Sequence, residues 1–307
     1  MQIVSFLPSA TEILYTLKLG RSVSGISHEC DFPPEAKRKP VVMRANFPSG
    51  DTSDRAIDRK VRETLRRGKE LYRIDQPLLE RIKPDLIVTQ KLCDVCAVST
   101  KTVQGAIRTL FPKPKVLSLH PHSLSGVLED ITKVGEFTGK FREAKRVVAR
   151  LQARIEHVRE KTELLPKRRV FSMEWCDPIM NAGHWIPEMV RIAGGKEALS
   201  GEGKPSVRLS WEEVRRYQPE VLFLMPCGFS AQKTLERAGK LQKLSGWSAL
   251  PAVRKGEVYY LDGSSYYNRP GPRLVDGLEI MAKLLHPEAF RHYRLPKSAV
   301  EFRGHET

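Results

Sequence analysis

Apolar runs of strand length alternate with stretches of helical periodicity along this chain, give way to one long helix, and then alternate again. Ile3 to Leu7 leads into Pro8-Ser-Ala-Thr-Glu12 and a helix to about Leu19, with Ser9 or Thr11 as its expected cap. Strands are expected at Val23–Ser27, Leu86–Gln90 and Lys115–Leu119, with helices at Leu78–Ile82 and Val98–Leu110. Strand, helix, strand in sequence implies a mainly parallel sheet. The middle reads as one helix from Leu124 to Phe137 and a second from Lys140 to Leu165, stopped by Pro166. In the second, Ala144, Val147, Val148, Leu151, Ile155 and Val158 recur at three and four residues. At 1.5 Å per residue its span is roughly 37 Å, enough to reach from one domain to another.

The alternation resumes with strands at Val170–Trp175, Val221–Met225 and Val258–Leu261. Helices are expected at Ile186–Ala193, Trp211–Tyr217, Leu235–Lys243 and Arg273–Leu285. The reading is an α/β chain of two lobes, 1–123 and 167–292, joined through linking helices at 124–166, with a polar tail at 293–307. Residues 44–76 read as a polar insertion with a helix from Asp58 to Glu70. A ligand cleft is expected between the lobes.

The chain has 307 residues, enough for two domains, and no apolar run approaches the roughly 18 residues of a membrane span. A strand begins straight after Met1, with no basic segment and apolar core before it, and the five cysteines are an odd number. Both features predict a cytoplasmic setting as encoded, and an extracytoplasmic one if a leader is removed. The net charge is +16, carried by runs such as Lys37-Arg-Lys39, Arg59 to Lys69, Lys140 to Arg146 and Lys167-Arg-Arg169. These runs are dispersed and lack interleaved aromatics, so they read as solvated faces, with no specific nucleic-acid partner. Phosphate-loop, dinucleotide and nucleophile-elbow motifs are missing, and no nucleophile stands with a base at a recognisable local spacing.

All five cysteines fall at or just beyond strand ends: Cys30, Cys93, Cys96, Cys176 and Cys227. In open α/β sheets, ligands bind outside the carboxyl ends of the strands. Cys93-Asp-Val-Cys96 supplies two of the four ligands that a structural metal wants, and Cys30 and His28 are the candidates for the others. A cytosolic metal- or redox-active protein holding zinc or iron on that cluster is therefore one reading. His120 follows another strand and is expected to face the cleft. Trp175 and Trp185 suit stacking on a flat macrocycle, or core packing. Ser264 to Pro272 follows the last strand, and its hydroxyls, its amide and Arg269 suit amide or phosphate groups at a ligand's edge.

The order and spacing of several pieces carry a resemblance. They are Ser5-Phe-Leu-Pro-Ser-Ala-Thr-Glu12, Ile26-Ser-His-Glu-Cys-Asp-Phe-Pro-Pro34 and Arg81-Ile-Lys-Pro-Asp-Leu-Ile-Val88, with Ser118-Leu-His-Pro-His-Ser-Leu124, Ala193-Gly-Gly195 and Arg269-Pro-Gly-Pro-Arg273. From Met1 to about His292 the chain resembles the substrate-binding proteins of vitamin B12 and iron-siderophore ABC importers, most closely the cobalamin-binding branch. The resemblance implies two Rossmann-like lobes on one backbone helix, the helical-backbone periplasmic-binding-protein fold. It also implies non-catalytic binding of a corrinoid (cobalamin-type) or siderophore-like metal chelate, for uptake or handover. Carried over by position, the implied contacts are Ser9, His28, Gln90, Trp175 and Tyr266. Glu29, Cys93, His120, Trp185 and Arg269 complete the expected set. His28 has three candidate roles: a metal ligand, the lower axial ligand on corrinoid cobalt, or a hydrogen-bonded loop residue. The family docks on its permease through a surface carboxylate on each lobe, yet Ala97 to Phe111 contains no Asp or Glu. With no leader or lipid anchor in view, this argues against an ABC permease as partner while leaving ligand binding intact. A monomer is expected.

Overall fold

The structure, a computed structural model, describes residues 1–46, 53–90 and 100–302. The chain forms two compact units, one of Met1–Pro121 with Ser125–Ala149, the other of His122–Leu124 with Arg150–Thr307.

In the first unit the strands are β1 (Ile3–Ser5), β2 (Val23–Ser27), β3 (Val41–Ala45), β4 (Tyr72–Ile74), β5 (Leu86–Gln90) and β6 (Lys115–Leu119). They lie in the order β4-β3-β2-β1-β5-β6, all parallel except β4, which runs antiparallel to β3. The helices are α1 (Pro8–Thr16), α2 (Asp54–Arg66), α3 (Gln76–Ile82) and α4 (Thr100–Ile107), followed by α5 (Leu124–Phe137) and α6 (Phe141–Thr162), whose residues from Arg150 onward belong to the second unit. Val4, Phe6, Val42, Met43, Leu79, Ile87 and Val103 are buried together in its core. Full burial of one such side chain contributes about 1.5–3 kcal/mol.

Local chemistry shifts several expected boundaries. Helix α1 starts at Pro8, whose fixed φ suits a first helical position, after an N-cap at Leu7 with no side-chain hydrogen bond. Ser9 and Thr11 therefore sit inside the helix rather than capping it. Ser53 caps α2 by accepting from the Ala56 N–H, which moves that helix toward the N-terminus of its expected span, and Gly68 turns at φ +65 beyond its end. Asp75 caps α3 in the same way through the Leu78 N–H. The segment read as an insertion thus supplies a helix and the edge strand β4.

The second unit contains β7 (Arg168–Cys176), β8 (Ile179–Asn181), β9 (Gly195–Lys196), β10 (Val221–Leu224), β11 (Val258–Leu261) and β12 (Val300–Glu301). Its main sheet runs β12-β11-β10-β7-β8, with β7, β10 and β11 parallel, β8 and β12 antiparallel at the edges, and β9 beside the start of β7. The helices are α7 (Ile186–Ile192), α8 (Trp211–Tyr217), α9 (Ala231–Ala238), α10 (Pro251–Arg254), α11 (Gly263–Tyr266) and α12 (Leu274–Leu285). Helix α8 occupies its expected residues because Ser210 and Glu213 form a complete capping box. The expected helix at Leu235–Lys243 starts earlier, at the Ser230 cap, and ends before Gly239. Phe171, Met173, Leu222, Leu224, Trp247 and Tyr260 form this unit's core. The α/β fold class and the two mainly parallel sheets are those expected from the sequence. No helix among the described residues is long and apolar enough to cross a membrane.

Candidate functional site

The carboxyl edge of the first sheet collects polar side chains because the ends of parallel strands lie side by side. At β1, Ser5 and the following α1 turn bury Ser9 and Thr11. The Thr11 hydroxyl lies 2.8 Å from Ser5 Oγ and 3.1 Å from Cys30 Sγ. At the end of β2, His28 and Glu29 are exposed. The His28 N–H donates to the Met43 carbonyl at 2.9 Å, and its ring stands 6.3 Å from that of Tyr72. Gln90 closes β5 and is buried, next to Thr89, whose buried hydroxyl has no hydrogen-bond partner among the described residues. His120, at the end of β6, is exposed. Its N–H donates to Asp130, and its Nε2 lies 3.2 Å from Ser118 Oγ. Burial pushes the Asp130 carboxyl upward, against the pull of Lys133 and the His120 N–H.

The carboxyl edge of the second sheet is aromatic. Trp175 is half-buried, its indole N–H donating to the Asp177 carbonyl at 3.1 Å and its ring tilted against Phe229 at 5.6 Å. Phe229 is itself covered by Lys233, whose Nζ sits 4.6 Å from the ring centroid. The Ser264 N–H donates to the Phe229 carbonyl, which ties the end of β11 to this platform. Asp262 caps α11 through the Ser265 N–H at 2.8 Å. Burial raises its pKa, while Ser265 and the charges of Arg273 and Arg269 oppose the rise. Tyr266 is half-buried under the Arg273 guanidinium, and Arg269 follows it, also half-buried.

Within each unit the structure therefore gathers expected residues at one sheet edge. Ser9, His28, Glu29, Gln90 and His120 belong to the first, and Trp175, Tyr266 and Arg269 to the second. Trp185 does not sit with the second group. It is 4% exposed, and its N–H is used by the Tyr267 carbonyl. Its position is that of a packing residue, because an indole with both its apolar body and its donor satisfied inside has little left for a ligand.

Of the expected cysteine cluster, the described members are Cys30 and His28. Cys93 and Cys96 lie outside the described residues. Cys30 is buried beneath α1 beside Thr11, whereas His28 is exposed. Cys176 is buried too, and Cys227 is partly exposed. Buried cysteines behave as small apolar side chains, so a strand-end position alone does not make Cys30 or Cys176 reactive. Among the described residues no three His, Cys, Asp or Glu side chains are grouped to hold a metal ion.

Sequence reasoning missed the role of Phe229, which backs Trp175 from the loop after β10. The run Pro226-Cys-Gly-Phe229 at a strand end was its only signal. It also missed Glu188, whose carboxylate accepts the Leu124 N–H at 2.8 Å.

Comparison with known proteins agrees with this architecture. An ABC transporter substrate-binding lipoprotein of Bacillus subtilis, YvrC, is 26% identical over 94% of this chain and 81% of its own length. A vitamin B12-binding protein of Vibrio vulnificus is 23% identical over 91% of this chain and 87% of its own. The periplasmic heme-binding protein RhuT from Roseiflexus sp. RS-1 superposes with a TM-score of 0.70 at 22% identity, covering 94% of this chain and 98% of that one. The profile of the periplasmic binding protein family matches residues 3–264, most of the length, and the chain belongs to that family.

Proposed function

We propose that this protein is the substrate-binding component of an ABC importer and that it holds a corrinoid (cobalamin-type) or related planar metal chelate without catalysing a reaction. The observation that carries this reading is Trp175, a half-exposed indole at the end of β7, braced from behind by Phe229 at 5.6 Å. A braced aromatic face at a strand's carboxyl end suits stacking on a flat macrocycle, and it loses little side-chain freedom on binding. Tyr266 and Arg269 follow β11 of the same sheet and carry a hydroxyl and a guanidinium. Ser9, His28, Glu29, Gln90 and His120 supply polar groups on the first unit. The names of the relatives support the ligand class and a placement outside the cytoplasmic membrane, with an ABC permease as partner.

The test is an absorbance titration of the reduced protein with aquocobalamin and, in parallel, with hemin, followed by gel filtration of the same samples. Saturable binding near one equivalent of either compound, weakened at least tenfold by Trp175→Ala or Tyr266→Ala, is the expected result. Co-elution of neither ligand sinks the ligand class. Binding that survives both substitutions unchanged sinks the site.

A further inference from the structure

Strands β3 and β4 pair antiparallel with Arg44 directly opposite Arg73. Both side chains are exposed, and neither guanidinium makes an ion pair or hydrogen bond with a described residue. Like charges directly opposite each other across a strand pair destabilise it. A solvated arginine would ordinarily stand opposite a carboxylate or a neutral residue.

The two arginines also line a cavity of about 220 Å³, with Val42, Ile74 and Asp75 as the rest of its wall. Val42 is fully buried and forms an apolar part of the lining. The position of Asp75 is fixed. Its N–H donates to the Val42 carbonyl at 2.9 Å, and its Oδ1 accepts the Leu78 N–H at 3.0 Å as the cap of α3. The acid is thus committed to the helix, and the lining keeps an excess of one positive charge. Pockets for drug-sized ligands run to about 300–1,000 Å³, so this cavity suits a small group.

We propose that Arg44 and Arg73 form a binding site for a phosphate group, separate from the strand-end residues assigned above and independent of that assignment. The argument for phosphate is the number of acceptors. One guanidinium satisfies a planar carboxylate with two parallel hydrogen bonds. Two guanidiniums entering from neighbouring strands need an anion with oxygens in more than one plane, and a tetrahedral phosphate supplies them. The bound anion would also remove the cross-strand repulsion, so the site couples ligand binding to the stability of the sheet edge.

The experiment uses the full chain in phosphate-free buffer at constant ionic strength, with no corrinoid or heme present. Inorganic phosphate and methyl phosphate are titrated by calorimetry and by thermal unfolding. Saturable binding of inorganic phosphate is expected, with an affinity at least tenfold weaker in Arg44→Gln and in Arg73→Gln and unchanged in Arg59→Gln, an exposed arginine of α2. Arg44→Lys keeps the charge but loses the planar fork, and is expected to weaken binding as well. Equal binding of methyl phosphate identifies the site as one for a phosphate ester, and its exclusion identifies one for the free anion. In phosphate-free buffer both Gln variants should unfold no earlier than the parent protein, since they relieve repulsion. Absence of saturable binding of both compounds, or an equal loss in Arg59→Gln, overturns the proposal.

Discussion

The indole N–H of Trp185 donates to the carbonyl of Tyr267 at 2.8 Å, and both residues are buried. Trp185→Phe keeps most of the apolar volume and leaves that carbonyl without its donor, a loss of about 1–3 kcal/mol. Chemical denaturation of this variant should show a lower midpoint with an unchanged slope. Trp175→Ala should lower the midpoint less than Trp185→Ala, because its ring is only half-buried. A larger stability loss at Trp175 would reverse the roles assigned to the two tryptophans.

Arg154 grips Glu279 through both of its ends, Nε to Oε1 at 2.9 Å and Nη2 to Oε2 at 2.7 Å, and also reaches Asp276 at 2.5 Å. This joins α6 to α12 within the second unit. The three side chains are partly exposed, so the network lies between a surface pair and a buried one. Arg154→Ala should destabilise the protein by about 1–3 kcal/mol, with a smaller penalty at high salt. A penalty unchanged between low and high salt would point to lost packing of the arginine stem instead.

The carboxylate of Glu197 accepts the Ser172 N–H at 2.8 Å through one oxygen and the Leu199 N–H at 3.2 Å through the other. Burial of the carboxyl pushes its pKa from 4.5 up to about 8, although the residue as a whole is only half-buried. The folded state therefore holds the proton more tightly than the unfolded chain. The associated stability is present below about pH 4.5 and is lost as pH rises through about 8. Glu197→Gln mimics the protonated form. Its midpoint relative to the parent protein should improve as pH rises from 5 to about 8 and level off above that, and a pH-independent difference would refute the assignment.

His184 shows the opposite slope. Burial, reinforced by the nearby charge of His122, lowers its pKa below the ordinary 6.5. Its contribution is present above that value and is lost as pH falls through the lower folded value. His184 sits at φ +54, a conformation that Asn tolerates well. His184→Asn should therefore keep the turn and reduce the loss of stability between pH 7 and pH 5. His286, whose pKa is also lowered by burial, should retain a residual part of that loss.

Gly263 opens α11 where the chain passes close to its neighbours. A Cβ there would meet the Pro226 carbonyl oxygen at 2.5 Å and that of Met225 at 2.7 Å, with the Asn268 side chain nearer still. Backbone cannot yield as a side chain can, so Gly263→Ala should cost about 1–3 kcal/mol. It should also weaken ligand binding by displacing Tyr266. Unchanged stability and affinity would show that the loop yields freely.

The sequence was most legible where signals are local. Lys115–Leu119 and Trp211–Tyr217 occupy their expected residues, the first a β-branched and leucine run bounded by prolines, the second set by its capping box. The short strands β8, β9 and β12 were not anticipated, because two or three residues carry no period and become strands only by pairing. The site shows the same division. Strand-end positions could be read for His28, Gln90 and Trp175. Trp185 could not be told from Trp175, because only the fold decides which indole finds a buried carbonyl. The facing of Arg44 and Arg73 depends on a register between distant segments.

The order β4-β3-β2-β1-β5-β6 means that the chain builds outward from β1 in one direction and then returns to build in the other. With right-handed crossovers, the link from β1 to β2 and the link from β5 to β6 must run over opposite faces of the sheet. Beside β1 the backbone itself parts, whatever side chains line the gap. A family built this way can exchange one guest for another by rewriting loop residues while the inheritance of its strands stays untouched, as a lock keeps its housing when the pins are changed.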